Sequence, residues 1–268
     1  NYDFWKSEVD KSKCLPIISS QQYLDESIEK SSLINFVTLD CYSKNTTEFD
    51  KEKFFEKIKN DSTLVLCLRT ENENAVQSIR RMFVELNERE IKNPAIIICD
   101  SEKETMDETL IHFAIETGAL LIDGFGNGIL LSDHYQDKNH VPDYKLINSI
   151  AFGILQASRT RISKTEFISC PSCGRTLFDL QETTAKIRSV THHLKGLKIA
   201  IMGCIVNGPG EMADADFGYV GSGTGKITLY KGKEVLKRNI PEAIAVDELV
   251  NLLKENNVWV EPELALSN

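Results

Sequence analysis

The sequence lacks an excess of basic residues and has no long apolar run. Its 268 residues carry 31 Lys and Arg against 40 Asp and Glu, a formal net charge of −9. Without a basic surface, nucleic acid and anionic membranes are poor candidates for partners. No apolar run approaches the roughly 20 residues that a bilayer-spanning helix needs. We therefore expect neither nucleic-acid binding nor membrane insertion.

The amino terminus lacks both a methionine and the basic-then-apolar pattern of a secretory signal, so no signal peptide is predicted. We treat the chain, which begins at Asn1, as a piece of a longer protein. Hydrophobic residues make up 41% and charged residues 26% of it, which is an ordinary globular composition. At roughly 150 residues per domain, the length suggests two domains.

Cysteine is too sparse for a disulfide scaffold. There are seven, an odd number, and the pattern is typical of a reducing compartment. Cys67 and Cys99 lie inside apolar runs and are interpreted as small buried hydrophobes, whereas Cys14 and Cys41 look incidental. The other three cysteines need a different explanation.

Residues 1–158 predict an α/β domain of parallel βα units. Short apolar runs at 33–39, 63–68, 95–99 and 119–122 are interpreted as strands, and amphipathic helical patterns lie between them. Such strands indicate a parallel sheet covered on both faces, either open and doubly wound or part of a barrel. The glycine-rich loop 123–128 is favoured as a tight turn over a phosphate loop.

The second half has a different pattern. A polar stretch at 159–165 is the candidate linker, and 166–268 predicts a smaller α+β domain. A brief strand at 166–169 precedes a helix over 175–194, a core strand follows at 198–202, and Pro241 opens the last helix. We expect the two helices to pack on a small, largely antiparallel sheet.

Two motifs in this half carry chemistry: SCPSCG at 169–174 and MGCIVNGPGE at 202–211. Cys170 and Cys173 follow a predicted strand and precede a predicted helix, whose N-terminus would stabilise thiolates. A thioredoxin-like dithiol, half of a zinc site and part of an iron–sulfur site all share this pattern.

The second motif favours an iron–sulfur site over a dithiol or a zinc site. Cys204 enters a loop whose glycines let the backbone approach a bulky group and present N–H groups to it. A dithiol site needs only two cysteines, and a structural zinc site usually has four Cys or His ligands. His192 and His193 are adjacent on a helix end and are interpreted as solvated. Three thiolates with Glu211 as the nearby oxygen ligand suit a catalytic cluster.

The runs 169–181 and 200–216 closely resemble 4-hydroxy-3-methylbut-2-enyl diphosphate synthase. The likeness covers about 165–260. The run 118–126 (GALLIDGFG) is similar, more loosely, to the middle domain of the plant-type, three-domain form. The chain thus resembles the C-terminal portion of such an enzyme, with residues 1–158 as a spacer.

The resemblance implies an oxidoreductase of the non-mevalonate isoprenoid pathway. It reductively opens a cyclic diphosphate of methylerythritol, and ferredoxin or flavodoxin supplies the electrons. Its [4Fe–4S] cluster would be held by Cys170, Cys173, Cys204 and Glu211, and Asn207 would face the substrate. An N-terminal barrel that binds the diphosphate is expected outside this chain.

The same resemblance places the protein in a bacterial cytoplasm or a plastid stroma, and it allows a homodimer. Two alternatives remain at the level of sequence. One is a zinc-stabilised binding module, and the other is a thiol–disulfide oxidoreductase that uses Cys170 and Cys173.

Overall fold

The protein is described by a computed structural model. It covers residue 10 and residues 14–44, 50–134, 141–206 and 208–262. The chain divides into two compact units, residues 1–161 and 162–268, so the division falls inside the stretch expected to be a linker. Among the described residues, no helix combines the length and the apolar character that crossing a bilayer requires.

The first unit is a parallel α/β structure, as the sequence predicts. Its elements in chain order are β1 (Ile17–Ser19), α1 (Ser20–Leu24), β2 (Asn35–Asp40), α2 (Lys51–Ile58), β3 (Leu64–Arg69), α3 (Ala75–Glu88), β4 (Ala95–Ser101), α4 (Met106–Ile122), β5 (Gly128–Asp133) and α5 (Tyr144–Ala157). All four strand pairings are parallel, and the order in the sheet is β1-β2-β3-β4-β5.

This sequential order is that of a barrel-like sheet, since a doubly wound sheet reverses its strand order at a switch point. Right-handed crossovers that all step in one direction place their helices on the same face. Strand residues in the helix-packed core accordingly alternate, as Val37 and Leu39 on β2 and Ala95 and Ile97 on β4 show. On the opposite face Thr38 is half-buried, but its partner Cys67 on β3 is 1% exposed and lies outside that core, so a sheet covered on both faces stays a prediction.

The predicted strand at 119–122 is wrong, because these residues end helix α4. Thr105 and Glu108 form a capping box that starts this helix, and the periodicity of so short an apolar run cannot tell a helix from a strand. The strand that follows α4 is β5, which begins at Gly128, nine residues after the start of the predicted run. Gly124 and Gly126 both have positive φ between α4 and β5, as a turn there requires.

The second unit is a mixed sheet with helices. Its elements are β6 (Glu166–Ser169), α6 (Leu180–Thr191), β7 (Lys198–Met202), α7 (Gly208–Glu211), β8 (Phe217–Gly223), β9 (Lys226–Lys231), β10 (Glu234–Pro241) and α8 (Glu242–Glu255). The order is β10-β9-β8-β7-β6.

The sheet of the second unit is not largely antiparallel. The pairs β6–β7 and β7–β8 are parallel, and β8–β9 and β9–β10 are antiparallel. Helix α6 connects β6 to β7, and such a crossover joins parallel strands. The parallel half has its carboxyl ends at one edge, which is where the cysteine motifs lie.

Candidate metal centre

Cys170 and Cys204 follow neighbouring parallel strands. Ser169, the last residue of β6, is paired with Ile201 of β7. Cys170 comes next after β6, and Cys204 comes two residues after the end of β7. Because the strands run in the same direction, both cysteines leave the sheet at the same edge.

Gly203 joins the cysteine segments through backbone hydrogen bonds. Its N–H donates to Cys170 Sγ at 3.3 Å, and its carbonyl accepts from the N–H of Leu177 at 3.0 Å. The N–H of Cys170 donates to the carbonyl of Ile201 at 3.3 Å. Cys204 is covalently next to Gly203, so this glycine connects the segments that carry two of the predicted thiol ligands.

Cys173 is held at the same glycine by a turn. The N–H of Thr176 donates to the carbonyl of Cys173 at 3.0 Å, and the N–H of Cys173 donates to Thr176 Oγ1 at 3.1 Å. The Thr176 side chain lies against the α-carbon of Gly203. The backbone segments of the three predicted thiol ligands are thus joined through Gly203.

The helix predicted over 175–194 is shorter in the structure. It begins at Leu180, after Asp179 accepts a side-chain hydrogen bond from the N–H of Glu182. An Asp at this position is a preferred N-cap and fixes the start of the helix. The helix N-terminus is therefore seven residues beyond Cys173 and is not what stabilises its thiolate.

The turn itself stabilises the Cys173 thiolate. The backbone N–H of Arg175 is the largest cause of a lowered Cys173 pKa, and the Arg175 guanidinium and the Thr176 hydroxyl lower it further. Cys173 is exposed, whereas Cys170 and Cys204 are half-buried. The seven cysteines of the chain are all free thiols.

Glu211 is placed at this end of the sheet by the short helix α7. Gly208 opens the helix, and a side-chain carbon added there would lie 3.0 Å from Cβ of Met202 at the end of β7. Glu211 ends α7 and is exposed. Asn207, the predicted substrate-facing residue, lies outside the described residues.

The chemistry of the donor set fits iron and sulfide. Three cysteine thiols lie on segments joined through Gly203, and thiolate is the ligand that iron–sulfur clusters use. Within the described ranges, no three His, Cys, Asp or Glu side chains are arranged to hold a single metal ion.

The histidines do not join this site. The His193 ring nitrogen Nε2 is 2.8 Å from the carbonyl oxygen of Val260, and the ring packs edge-on against Trp259 at 5.2 Å. His192 lies at the C-terminal cap of α6. Since α6 leads away from the cysteine turn, neither is placed as a ligand.

An exposed apolar segment and an open groove lie beside the site. Ile205 and Val206, directly after Cys204, are 49% and 59% exposed. An open groove of about 700 Å³ runs from Cys170 past Asp179 to Arg188 on α6. Contiguous exposed apolar residues often mark a surface that another domain or protein covers.

The sequence interpretation missed the residues that support the cysteines. Arg175, Thr176 and Gly203 form the turn and the backbone contacts around the thiols. The available signal was a Thr three residues after Cys173, because a Thr hydroxyl commonly accepts a backbone hydrogen bond within a turn.

Fold and site together define a thiol-bearing domain of mixed α/β structure, with its cysteine motifs at the carboxyl edge of the parallel strands. Residues 166–255 match the family described as the GcpE protein C-terminal domain. The predicted resemblance is thereby confirmed: the chain is similar to the C-terminal part of 4-hydroxy-3-methylbut-2-en-1-yl diphosphate synthases.

Three relatives illustrate the similarity. The chain is 51% identical over 209 residues to the flavodoxin-type synthase of Parabacteroides distasonis, a match that covers 78% of this chain and 33% of the relative. It is 57% identical over 156 residues to that of Leptospira interrogans, covering 58% and 23%. It is 47% identical over 215 residues to the ferredoxin-type chloroplastic enzyme of Arabidopsis thaliana, covering 78% and 28%. The chain spans about a third or less of these curated relatives.

Proposed function

We propose that this chain forms the cluster-bearing C-terminal part of a reductase that makes 4-hydroxy-3-methylbut-2-enyl diphosphate from the cyclic diphosphate of methylerythritol. The observation that carries this proposal is the joining of the three cysteine segments at the carboxyl edge of β6 and β7. There the Gly203 N–H donates to Cys170 Sγ, and Thr176 connects the backbone turn of Cys173 to Gly203, the residue before Cys204. The names of the relatives give the product and the electron donors of those enzymes, and the cysteine motifs supply the chemistry.

The residues of this chain have distinct tasks in that function. Cys170, Cys173 and Cys204 would hold a [4Fe–4S] cluster, with Glu211 as the fourth ligand and Asn207 facing the substrate. When bound, such a cluster supplies single electrons and a Lewis-acidic iron. The Gly203 N–H donates to the Cys170 sulfur, and hydrogen bonds of this kind tune the reduction potential of a cluster.

Glu211 suits the role of an exchangeable ligand. A carboxylate holds iron more weakly than a thiolate does, so an oxygen of the substrate can compete with it. Its exposure at the end of α7 leaves it open to a bound molecule. The exposed Ile205 and Val206 give a closing barrel domain an apolar surface to cover.

The partners follow from the same proposal. Ferredoxin or flavodoxin would deliver the electrons, as the names of the relatives specify for those enzymes. The diphosphate would be bound by an N-terminal barrel outside this chain, and the protein would reside in a bacterial cytoplasm or a plastid stroma. Residues 1–158 would serve as a spacer domain.

The alternatives agree less well with the site. A dithiol oxidoreductase commonly lowers a thiol pKa at a helix N-terminus, whereas α6 begins well after Cys173. A structural zinc site usually has four Cys or His ligands, and the two motifs supply three cysteines and no histidine. Anaerobic metal and sulfide analysis distinguishes all three.

The decisive test compares variants of the complete chain after anaerobic reconstitution with iron and sulfide. We expect Cys204→Ser to lose the cluster and Glu211→Ala to keep a cluster with an altered substrate-free spectrum, because thiolates dominate the binding. Exposed Cys14→Ser is the matched control and should load as the wild type does. A fully loaded Cys204→Ser variant, or stoichiometric zinc without sulfide, would refute the proposal.

A further inference from the structure

Two hydrogen bonds between Cys173 and Thr176 close the turn that joins them. The backbone N–H of Thr176 donates to the Cys173 carbonyl, and the Thr176 hydroxyl accepts the Cys173 N–H at 3.1 Å. The same hydroxyl is 3.3 Å from Ser172 Oγ. Ser172 has a φ of +65°, a conformation that costs a non-glycine residue energy and needs support from its surroundings. Thr176 supplies that support on the side of the hydroxyl.

The other side of Thr176 rests on Gly203. A side-chain carbon added to Gly203 would lie 2.8 Å from Thr176 Cγ2 and 2.9 Å from Oγ1, which is closer than real carbon contacts. The Thr176 side chain therefore occupies the space that a Cβ of Gly203 would fill. Its methyl group faces the residue that donates to Cys170 Sγ and precedes Cys204.

Gly203 also packs closely against β8. A side-chain carbon added to Gly221 would lie 2.4 Å from the Gly203 carbonyl oxygen. That carbonyl also accepts the N–H of Leu177, so Gly203 cannot shift away from Thr176 without breaking a backbone bond. Thr176, Gly203 and Gly221 are therefore closely packed, with no room for an added side-chain carbon on either glycine.

We propose that Thr176 is a positioning residue for the cysteine-held cluster. Its hydroxyl accepts a hydrogen bond within the turn that carries Cys173, and its methyl group packs that turn against Gly203. One side chain thus sets the spacing between the Cys170–Cys173 pair and Cys204. This role rests on the proposed function, since the cluster is the group whose geometry it sets. Thr176 is not a ligand and contacts the cluster only through the residues it holds.

The first test uses the complete chain without a cluster. Thr176→Val keeps the branched shape and loses the acceptor, whereas Thr176→Ser keeps the acceptor and loses the methyl group. We expect the Cys173 amide to exchange about five- to tenfold faster in the Val variant, because one net hydrogen bond is lost, and within about twofold of wild type in the Ser variant. Thr184→Val on α6 is the matched control and should leave the Cys173 amide unchanged.

The second test measures the reconstituted cluster by redox titration and by electron paramagnetic resonance of its reduced form. We expect Thr176→Val to shift the midpoint potential and the g values, Thr176→Ser to restore both towards wild type, and Thr184→Val to change neither. Unchanged exchange in Thr176→Val, or an unchanged potential and spectrum in a fully loaded Val variant, would overturn the positioning role alone. A wild-type chain that binds no cluster would instead overturn the proposed function and the positioning role with it.

Discussion

The cysteines of this chain differ in reactivity because their surroundings differ. Burial raises the pKa of Cys67 and that of Cys99 to about 12. Cys173 is exposed, and the Arg175 backbone N–H and then its guanidinium lower the pKa of this thiol. Only the thiolate is a strong nucleophile, so we expect the buried Cys67 and Cys99 to be inert and Cys173 to be reactive.

This contrast predicts an order of alkylation in the metal-free protein. Because a lowered pKa makes the thiolate appear at lower pH, the alkylation rate of Cys173 should reach half its maximum below pH 9, the ordinary value for this thiol. Cys67 and Cys99 should stay unmodified until the chain unfolds. Iodoacetamide labelling across pH, read by peptide mass spectrometry, measures each site.

Arg175→Ala provides the control for the cause of that shift. It removes the guanidinium but leaves the backbone N–H, so the midpoint for Cys173 should rise only part of the way towards its ordinary value. A midpoint at or above the ordinary value in the wild-type chain would contradict the assignment of the turn as the source of the shift.

At the scale of the elements, the close contact between β8 and the end of β7 is the most demanding feature of the second unit. Gly221 on β8 leaves no room for a side chain above the Gly203 carbonyl, whereas a carbon added to Gly223 on the same strand would lie 3.9 Å from its nearest neighbour, Lys226. The two glycines therefore lie in the same strand but differ in the free space around them.

We expect Gly221→Ala to destabilise the protein by about 1–3 kcal/mol, because the added carbon overpacks a backbone contact that cannot yield. Gly223→Ala should stay within about 0.5 kcal/mol of wild type. Urea unfolding followed by circular dichroism gives both values. Equal stabilities for the two variants would show that β8 can move away from Gly203.

The sequence predicts elements well where composition and period agree. The runs ending in Cys67–Leu68 and Cys99 are continuous, apolar and β-branched, and both are strands in the structure. The run 119–122 is also apolar but ends α4. It consists of Ala, Leu, Leu and Ile, so it has one β-branched residue and three good helix formers. The capping box at Thr105, fourteen residues before the run, is the second signal for a helix.

At the site, the sequence identifies residues that carry chemistry and misses those that hold them. Two motifs with characteristic spacing are enough to select Cys170, Cys173 and Cys204. The contact between Thr176 and Gly203 joins residues from different segments, so it exists only in the folded chain. The start of α6 at Leu180 was missed because Asp179 caps the helix within a run that also has helical periodicity.

At the scale of the whole chain, every proposed cluster ligand lies in one of the two units. Cys170, Cys173, Cys204 and Glu211 all fall within residues 162–268. A ligand stabilises the states that bind it, and a site formed by four residues of one unit exists only while that unit is folded. Cluster loading should therefore act on the unfolding of residues 162–268.

This linkage can be measured by hydrogen exchange of the complete chain before and after anaerobic loading. At a free ligand concentration of about 100 times Kd, the stabilisation is about 2.7 kcal/mol, so amides of β7 and β8 that exchange by unfolding should slow by about 100-fold. Amides of β2 to β4 should keep their rates, because no proposed ligand lies in their unit. Cys204→Ser, treated in the same way, should show no slowing in either unit. Equal slowing in both units of the wild-type chain would contradict the assignment of the binding free energy to residues 162–268, and it would mean that the first unit unfolds together with the second.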